Sequence, residues 1–207
     1  MTGEHTAGGS SLQDTGSSGP VPDDAEYRAQ MHAFAELARL TVNVDPPEHT
    51  LRRVAELAKR TLGEVEDVSL TVIDRGQPRS VVFTGPLAVD LDERQYELGF
   101  GPCLDAAKTG QTLVVDTTDA DSPYREFGRI AARAGVRHVV SVGMPLAERS
   151  IGGMNIYRTA EGLFSRALLE RAEVFASYAA VAVNNIASYA GATTEVAHFR
   201  TAMQSGR

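Results

Sequence analysis

The chain has 207 residues, 43% of them hydrophobic and 23% charged, and its 20 Lys and Arg against 27 Asp and Glu give a formal net charge of -7. That length suits one domain with tails, and no apolar run approaches the ~20 residues a bilayer span needs, which excludes a transmembrane helix. The acidic balance argues against a direct nucleic-acid partner. A single cysteine, Cys103, excludes an internal disulfide, a four-cysteine zinc site and a Cys-x-x-Cys redox pair.

Residues 1–23 are rich in Gly, Ser and Thr and poor in large apolar side chains, so they are expected to form a disordered tail. They also lack the apolar stretch of a secretion signal, and the expected location is cytoplasmic. A folded unit is expected over residues 24–190, followed by a separate C-terminal segment, 191–207. Tyr27, Met31, Phe34, Leu37 and Thr41 recur at helical spacing and predict a first amphipathic helix, which Asp45-Pro46-Pro47 breaks. A second helix is predicted from near Thr50, with Leu51, Val54, Leu57, Ala58 and Leu62 inward and Gly63 at a left-handed C-cap.

Val68 to Ile73 is rich in β-branched residues and, with Arg79 to Phe83 beyond a Gly-Pro turn, predicts a hairpin. Leu91 to Leu98 has helical character and leads into the sharp Gly99-Phe100-Gly101-Pro102-Cys103 stretch. A short helix over Leu104 to Lys108, a strand over Thr112 to Asp116 and a helix over Tyr124 to Ala134 follow. Val139 to Met144 and Met154 to Tyr157 predict a second hairpin turning around Glu148 to Gly153. Ser165 then caps a long helix to Tyr189 with a broad inward face of small residues.

Residues two apart on a strand share a face. Leu70, Val72, Val140, Val142, Met144, Met154 and Ile156 form one apolar set that should meet the long helices. The opposite set is Ser69, Thr71, Ser141, Gly143, Asn155 and Tyr157, small or polar residues that leave room above the sheet. The Gly99 to Cys103 loop and the Tyr124 to Ala134 helix can roof that room, a setting in which small ligands bind. The candidate ligand-binding residues are therefore Thr71, Phe100, Cys103, Phe127, Ser141, Asn155 and Tyr157. The competing bland outcome is a face filled by the roof's own Phe100 and Phe127.

Cys103 at a helix start has the setting of a lowered thiol pKa, but no second cysteine stands by to resolve an oxidised sulfur, and no nucleophile elbow accompanies it. The five histidines form no pair at metal-ligand spacing. No catalytic residue, metal site or cofactor is assigned.

The order helix, hairpin, Gly-Phe-Gly-Pro-Cys, strand, helix, Gly135 to Leu146, Ile151 to Tyr157, long helix resembles a GAF domain over about residues 48–190. Gly101-Pro102-Cys103, Gly135-Val136-Arg137 with Ser141 to Leu146, and Gly152 to Tyr157 with Phe164-Ser165 are similar to the GAF module of actinobacterial GAF-ANTAR regulators. The stretch Glu195 to Arg207 is similar to the opening of the RNA-binding ANTAR helix. The resemblance implies an α/β (α+β) fold: a central antiparallel sheet of five to six strands, terminal helices on one face and a roofed pocket on the other. It also implies sensing rather than catalysis. The chain lacks the Asn-Lys-Phe-Asp-Glu signature of cyclic-nucleotide-binding relatives, has Leu104 rather than His after its cysteine, and lacks the several cysteines of GAF-type methionine sulfoxide reductases.

The expected function is thus a non-catalytic sensory domain for an unidentified small molecule, signalling through its flanking helices, with transcription antitermination as its setting. The expected partner is a second copy of the chain, through the first and last helices. Only 17 residues follow Ala190, too few for an ANTAR bundle, so no RNA binding by this chain alone is expected. The natural protein is expected either to continue past Arg207 or to act with another chain. The alternatives are a Cys103-dependent enzyme or redox sensor, and a ligand-free dimerisation scaffold.

Overall fold

The computed structural model describes residues 24–40, 47–74, 76–147 and 149–205. Expectations for the tail, Thr41, the Asp45-Pro46 break and Glu148 lie outside them. In chain order the elements are α1 (Asp24–Leu40), α2 (Pro47–Leu62), β1 (Asp67–Asp74), β2 (Gln77–Phe83), α3 (Pro86–Leu98), α4 (Pro102–Thr109), β3 (Thr112–Asp116), α5 (Arg125–Arg133), β4 (His138–Leu146), β5 (Arg149–Arg158) and α6 (Arg166–Ser205). The sheet has five strands in the order β2-β1-β5-β4-β3, and every neighbouring pair is antiparallel.

Strand alternation sorts the molecule into two layers as expected. Val68, Leu70, Val140, Val142, Met144, Met154 and Ile156 meet α1, α2 and α6 in one core. Leu37 and Phe34 of α1 join it, and the Phe34 ring lies 5.7 Å from that of Phe175. The other face of the sheet carries α3, α4 and α5. Its smaller apolar core gathers Ala88, Leu91, Val115, Phe127, Ala131, Val136, Val139 and Tyr157.

Local signals explain the element ends. Gly63 at φ +58° follows α2 and Gly99 at φ +65° ends α3, the left-handed region that favours glycine. Ser165 Oγ accepts the Leu168 N–H at 3.2 Å, an N-cap for α6.

Several boundaries differ from the sequence reading. α2 begins at Pro47, not near Thr50, because proline suits a first helical position. α3 starts at Pro86 for the same reason, five residues before the expected helix at Leu91. β5 begins at Arg149 and includes Gly152 and Gly153, which read as turn residues in sequence. Gly152 serves close packing: a Cβ there would lie 2.0 Å from the Thr71 carbonyl oxygen. α6 is unbroken through residues 190–191. On α1, Tyr27 and Met31 are exposed although they continue the stripe of Phe34 and Leu37, so the N-terminal half of the helix projects past its core contacts.

Candidate functional site

The register of the sheet builds the site. Asn155 on β5 pairs with Ser69 on β1 and with Ser141 on β4, so the three side chains form one row across the central strands on the α3–α4 face. Ser141 Oγ donates to Asn155 Oδ1 at 2.9 Å, and Asn155 Nδ2 lies 3.2 Å from Ser69 Oγ. Thr71 and Tyr157, two residues along their strands, flank that row.

The helices above supply the rest. Asp92, Gln95 and Tyr96 come from α3, at i, i+3 and i+4, so they share one helical face. Asp92 Oδ1 accepts from Asn155 Nδ2 at 3.0 Å and from the Tyr157 hydroxyl at 2.5 Å. Gln95 Nε2 donates to the Tyr157 hydroxyl at 3.4 Å. The Tyr96 hydroxyl and Thr71 Oγ1 are hydrogen-bonded at 2.8 Å. Cys103 enters from the start of α4, its Sγ 3.3 Å from Thr71 Oγ1 and 3.0 Å from Asn155 Nδ2.

Ser69, Thr71, Asp92, Gln95, Cys103, Ser141, Asn155 and Tyr157 are all 0% exposed, while Tyr96 is half-buried. The small side chains do leave room above the sheet, and α4 occupies it. A Cβ on Gly143 would lie 2.4 Å from the Gly110 backbone, and Gly153 faces the Cys103 carbonyl and Ala107. Two clefts open elsewhere: one of about 610 Å³ between α1 and α2, bordered by Leu57, Arg60 and Arg171, and one of about 400 Å³ at Phe83 and Pro86.

The network sets the acidity of its members. Burial, and after it the Asp92 carboxylate, push the Cys103 thiol up to about 12. The same two causes, in the same order, raise the Tyr157 phenol well above its ordinary value. Cys103 is therefore a protonated thiol at neutral pH, the reverse of the activated thiolate that a helix start suggested.

Of the seven residues expected from sequence, Thr71, Cys103, Ser141, Asn155 and Tyr157 converge in this network. Phe127 lies beside it in the smaller apolar core with Tyr157. Phe100 is exposed and stacks on Tyr124, ring centroids 5.4 Å apart, at the outer edge of the roof. Asp92, Gln95 and Tyr96 were missed as site residues. In sequence they are marked only by sharing a helical stripe with Ala88 and Leu91, which does not tell buried polar residues from solvated ones. His138 sits on the opposite face of the sheet, edge-on to Phe164 at 6.1 Å. Among the described residues, no group of three or more His, Cys, Asp or Glu gathers as a metal site, and no helix is long and apolar enough to cross a membrane.

A five-stranded antiparallel sheet sandwiched between two helical layers, with a polar site under one of them, defines the class, and the family model described as GAF domain matches residues 45–184. The chain belongs to the GAF domain family. Its fold is similar to a domain of a two-component sensor histidine kinase protein from Sinorhizobium meliloti 1021, at 17% identity and a TM-score of 0.58, covering 71% of this chain and 97% of that one. It is also similar to fRMsr of Staphylococcus aureus in its reduced form, at 16% identity and a TM-score of 0.56, covering 74% and 94% of the two chains. A third likeness is to the GAF domain of the cyanobacteriochrome TePixJ, at 14% identity and a TM-score of 0.56, covering 71% and 94%. No curated protein matches the chain.

Proposed function

We propose that this domain is a non-catalytic sensor that binds a small molecule between the sheet and the α3–α4 roof and signals through α1 and α6. The observation that carries the reading is the buried network itself. Nine polar side chains meet where apolar packing would be at least as stabilising, and departures of this kind concentrate at functional sites. A ligand entering there exchanges internal hydrogen bonds for its own and moves the roof relative to β1, β4 and β5, whose reverse faces hold α2 and α6. Its effect on the flanking helices equals its differential affinity for the two arrangements.

The experiment is native purification of the full chain followed by mass spectrometry of released small molecules, then thermal denaturation with the molecule found. A bound ligand raises the midpoint through RT ln(1 + [L]/Kd), and Asn155→Leu should abolish the rise. A rise that persists in Asn155→Leu, or a ligand that leaves the resonances of Asn155 and Cys103 unshifted, overturns the reading.

A Cys103-dependent enzyme or redox sensor is disfavoured by a thiol that is wholly buried and held protonated. We further propose a homodimer through α1 and α6. Ala172, Ala176, Ala179, Ala180 and Ala182 of α6 are buried in the chain's own core and are not available to a second copy. The exposed apolar residues Tyr27, Met31, Val174 and Val181 take over as the contact surface. The antitermination setting rests on the likeness of Glu195 to Arg207 to an ANTAR opening. The cytoplasmic setting rests on a lone free thiol, at home in a reducing compartment.

A further inference from the structure

Resting on the sensor reading above for its purpose, we propose that Asp67 is the coupling residue of this domain, a buried carboxylate that ties the position of the roof helix α3 to α2 on the opposite face of the sheet. Asp67 is 3% exposed at the start of β1, and strand alternation puts it on the same face as Ser69 and Thr71 of the polar network. Its two oxygens are divided between the layers. Oδ2 accepts the Ala88 N–H of α3 at 3.3 Å, and Oδ1 accepts from Lys59 Nζ of α2 at 3.1 Å. Oδ1 also accepts the Thr84 hydroxyl at 3.1 Å. Thr84 is itself fastened to β1, its Oγ1 accepting the Val68 N–H and its own N–H donating to the Val68 carbonyl, both at 2.9 Å.

The contact with α3 is a cap supplied from another element. An N-cap side chain ordinarily accepts the N–H of the second or third helical residue, and Ala88 is the third residue of α3. The N-cap position itself holds Gly85, which has no side chain to offer. A Cβ there would lie 2.7 Å from Asp67 Cγ, so the glycine is what lets a carboxylate from the strand take the cap's place. Its negative charge also meets the positive end of the α3 dipole.

Both ends of this link lead to working parts of the domain. Ala88 shares the buried stripe of α3 with Asp92 and Gln95, four and seven residues on, so a shift of the helix over the polar network also moves its cap. Lys59 lies in the last turn of α2, whose Leu57 and Leu62 are packed in one core with Leu168, Phe175 and Ala176 of α6. A charge taken out of water persists only when paired, and Asp67 is shared between a helix N-terminus on one side and an ammonium on the other. When α3 moves, the hold of Asp67 on Ala88 changes and Lys59 takes up the difference. The Ala88 bond is the longest of the three, so it has the most to gain or lose. Coupling of this kind is reciprocal: what displaces Lys59 must also act on α3.

The test needs no ligand and uses the isotope-labelled full chain. Lys59→Met should shift the Ala88 amide and the side-chain amide resonances of Gln95 and Asn155 on the far face of the sheet, and Lys59→Arg should return them toward their parent positions. Arg60→Met, at the next residue of α2 and a side chain 68% exposed, should leave all three in place. In the reverse direction, Tyr96→Phe removes the hydroxyl that bonds Thr71 and should shift the Asp67 carboxyl and Lys59 side-chain resonances. Adding Asp67→Asn should abolish that response at Lys59. If Lys59→Met does not fold, the Tyr96→Phe arm decides by itself. Shifts confined to Lys59, Asp67 and Thr84 would make Asp67 a cap with no coupling role and overturn the proposal, leaving the sensor reading standing. Equal shifts from Arg60→Met would mean a general loosening of α2 and overturn it as well. Failure of the sensor reading shows instead in the search for a co-purified molecule and leaves these shifts unchanged.

Discussion

Gln95 holds Cys103 across the turn between α3 and α4: its side-chain carbonyl accepts the Cys103 N–H at 2.8 Å while its amide reaches Tyr157 on β5. One side chain thereby caps α4 and ties it to both α3 and the sheet. A Cβ on Gly101 would fall 2.4 Å from Gln95 Oε1, so the glycine permits the approach. Gln95→Leu keeps the volume but leaves a buried N–H unpaired, which costs about 1–3 kcal/mol. The urea midpoint should fall with an unchanged m-value; an unchanged midpoint would remove Gln95 from this role.

Two neighbouring glycines should respond oppositely to alanine. Gly143→Ala drives a Cβ into the Gly110 backbone at 2.4 Å and the Ala106 carbonyl at 2.7 Å, and neither can swing aside. Overpacking of this kind costs about 1–3 kcal/mol. At Gly153 the nearest atom is the Val142 carbonyl oxygen at 3.5 Å, ordinary contact, so Gly153→Ala should stay within about 0.5 kcal/mol of the parent. Equal losses in thermal melts of the two variants would refute the close seating of α4.

The buried thiol makes stability fall in alkali. The Cys103 thiol stands at about 12 in the folded chain against an ordinary 9.0, so between these values the unfolded chain has released a proton that the folded chain retains. Stability is whole below pH 9.0 and declines from there toward about 12, with a slope of up to about 1.4 kcal/mol per pH unit. Tyr157, also raised, adds in the same direction at higher pH. Urea unfolding at pH 8 and pH 10 measures it, and Cys103→Ser should flatten the first part of the decline. A parent whose stability is level over that interval would contradict the buried-thiol picture.

Light scattering at high micromolar concentration should give twice the chain mass. Met31→Glu and Val181→Glu, both at exposed positions, should return the monomer without loss of helical signal. A parent that is monomeric throughout would end the dimer proposal.

Binding to structured RNA should be weak at physiological salt, because phosphate contacts dominate such affinity and the chain carries a net charge of -7. Micromolar or tighter binding that weakens steeply in a salt titration would show that a basic surface operates after all.

Much of the fold was legible in sequence because it rests on local periodicity. Alternation along Val68 to Ile73, Val139 to Met144 and Met154 to Tyr157 sorted apolar from polar faces, and that sorting places Leu70, Val142 and Met154 against α2 and α6. The same alternation put Thr71, Ser141, Asn155 and Tyr157 on one side of the sheet, where the structure joins them. Turn residues were harder. Gly152 and Gly153 look like a loop in sequence but lie in β5, and at Gly152 the close approach of the Thr71 backbone accounts for the glycine.

Composition and strand pattern by themselves determined a single-cysteine α/β domain with one apolar and one polar sheet face. Tertiary structure decided what the polar face meets. Asp92 and Gln95 stand 63 and 62 residues from Asn155 and Tyr157 in the chain, and no local rule distinguishes an inward polar stripe on α3 from a solvated one. The fate of Cys103 was equally nonlocal: its place at a helix start favours a thiolate, and the burial and carboxylate that reverse this come from α3 and the sheet folded around it.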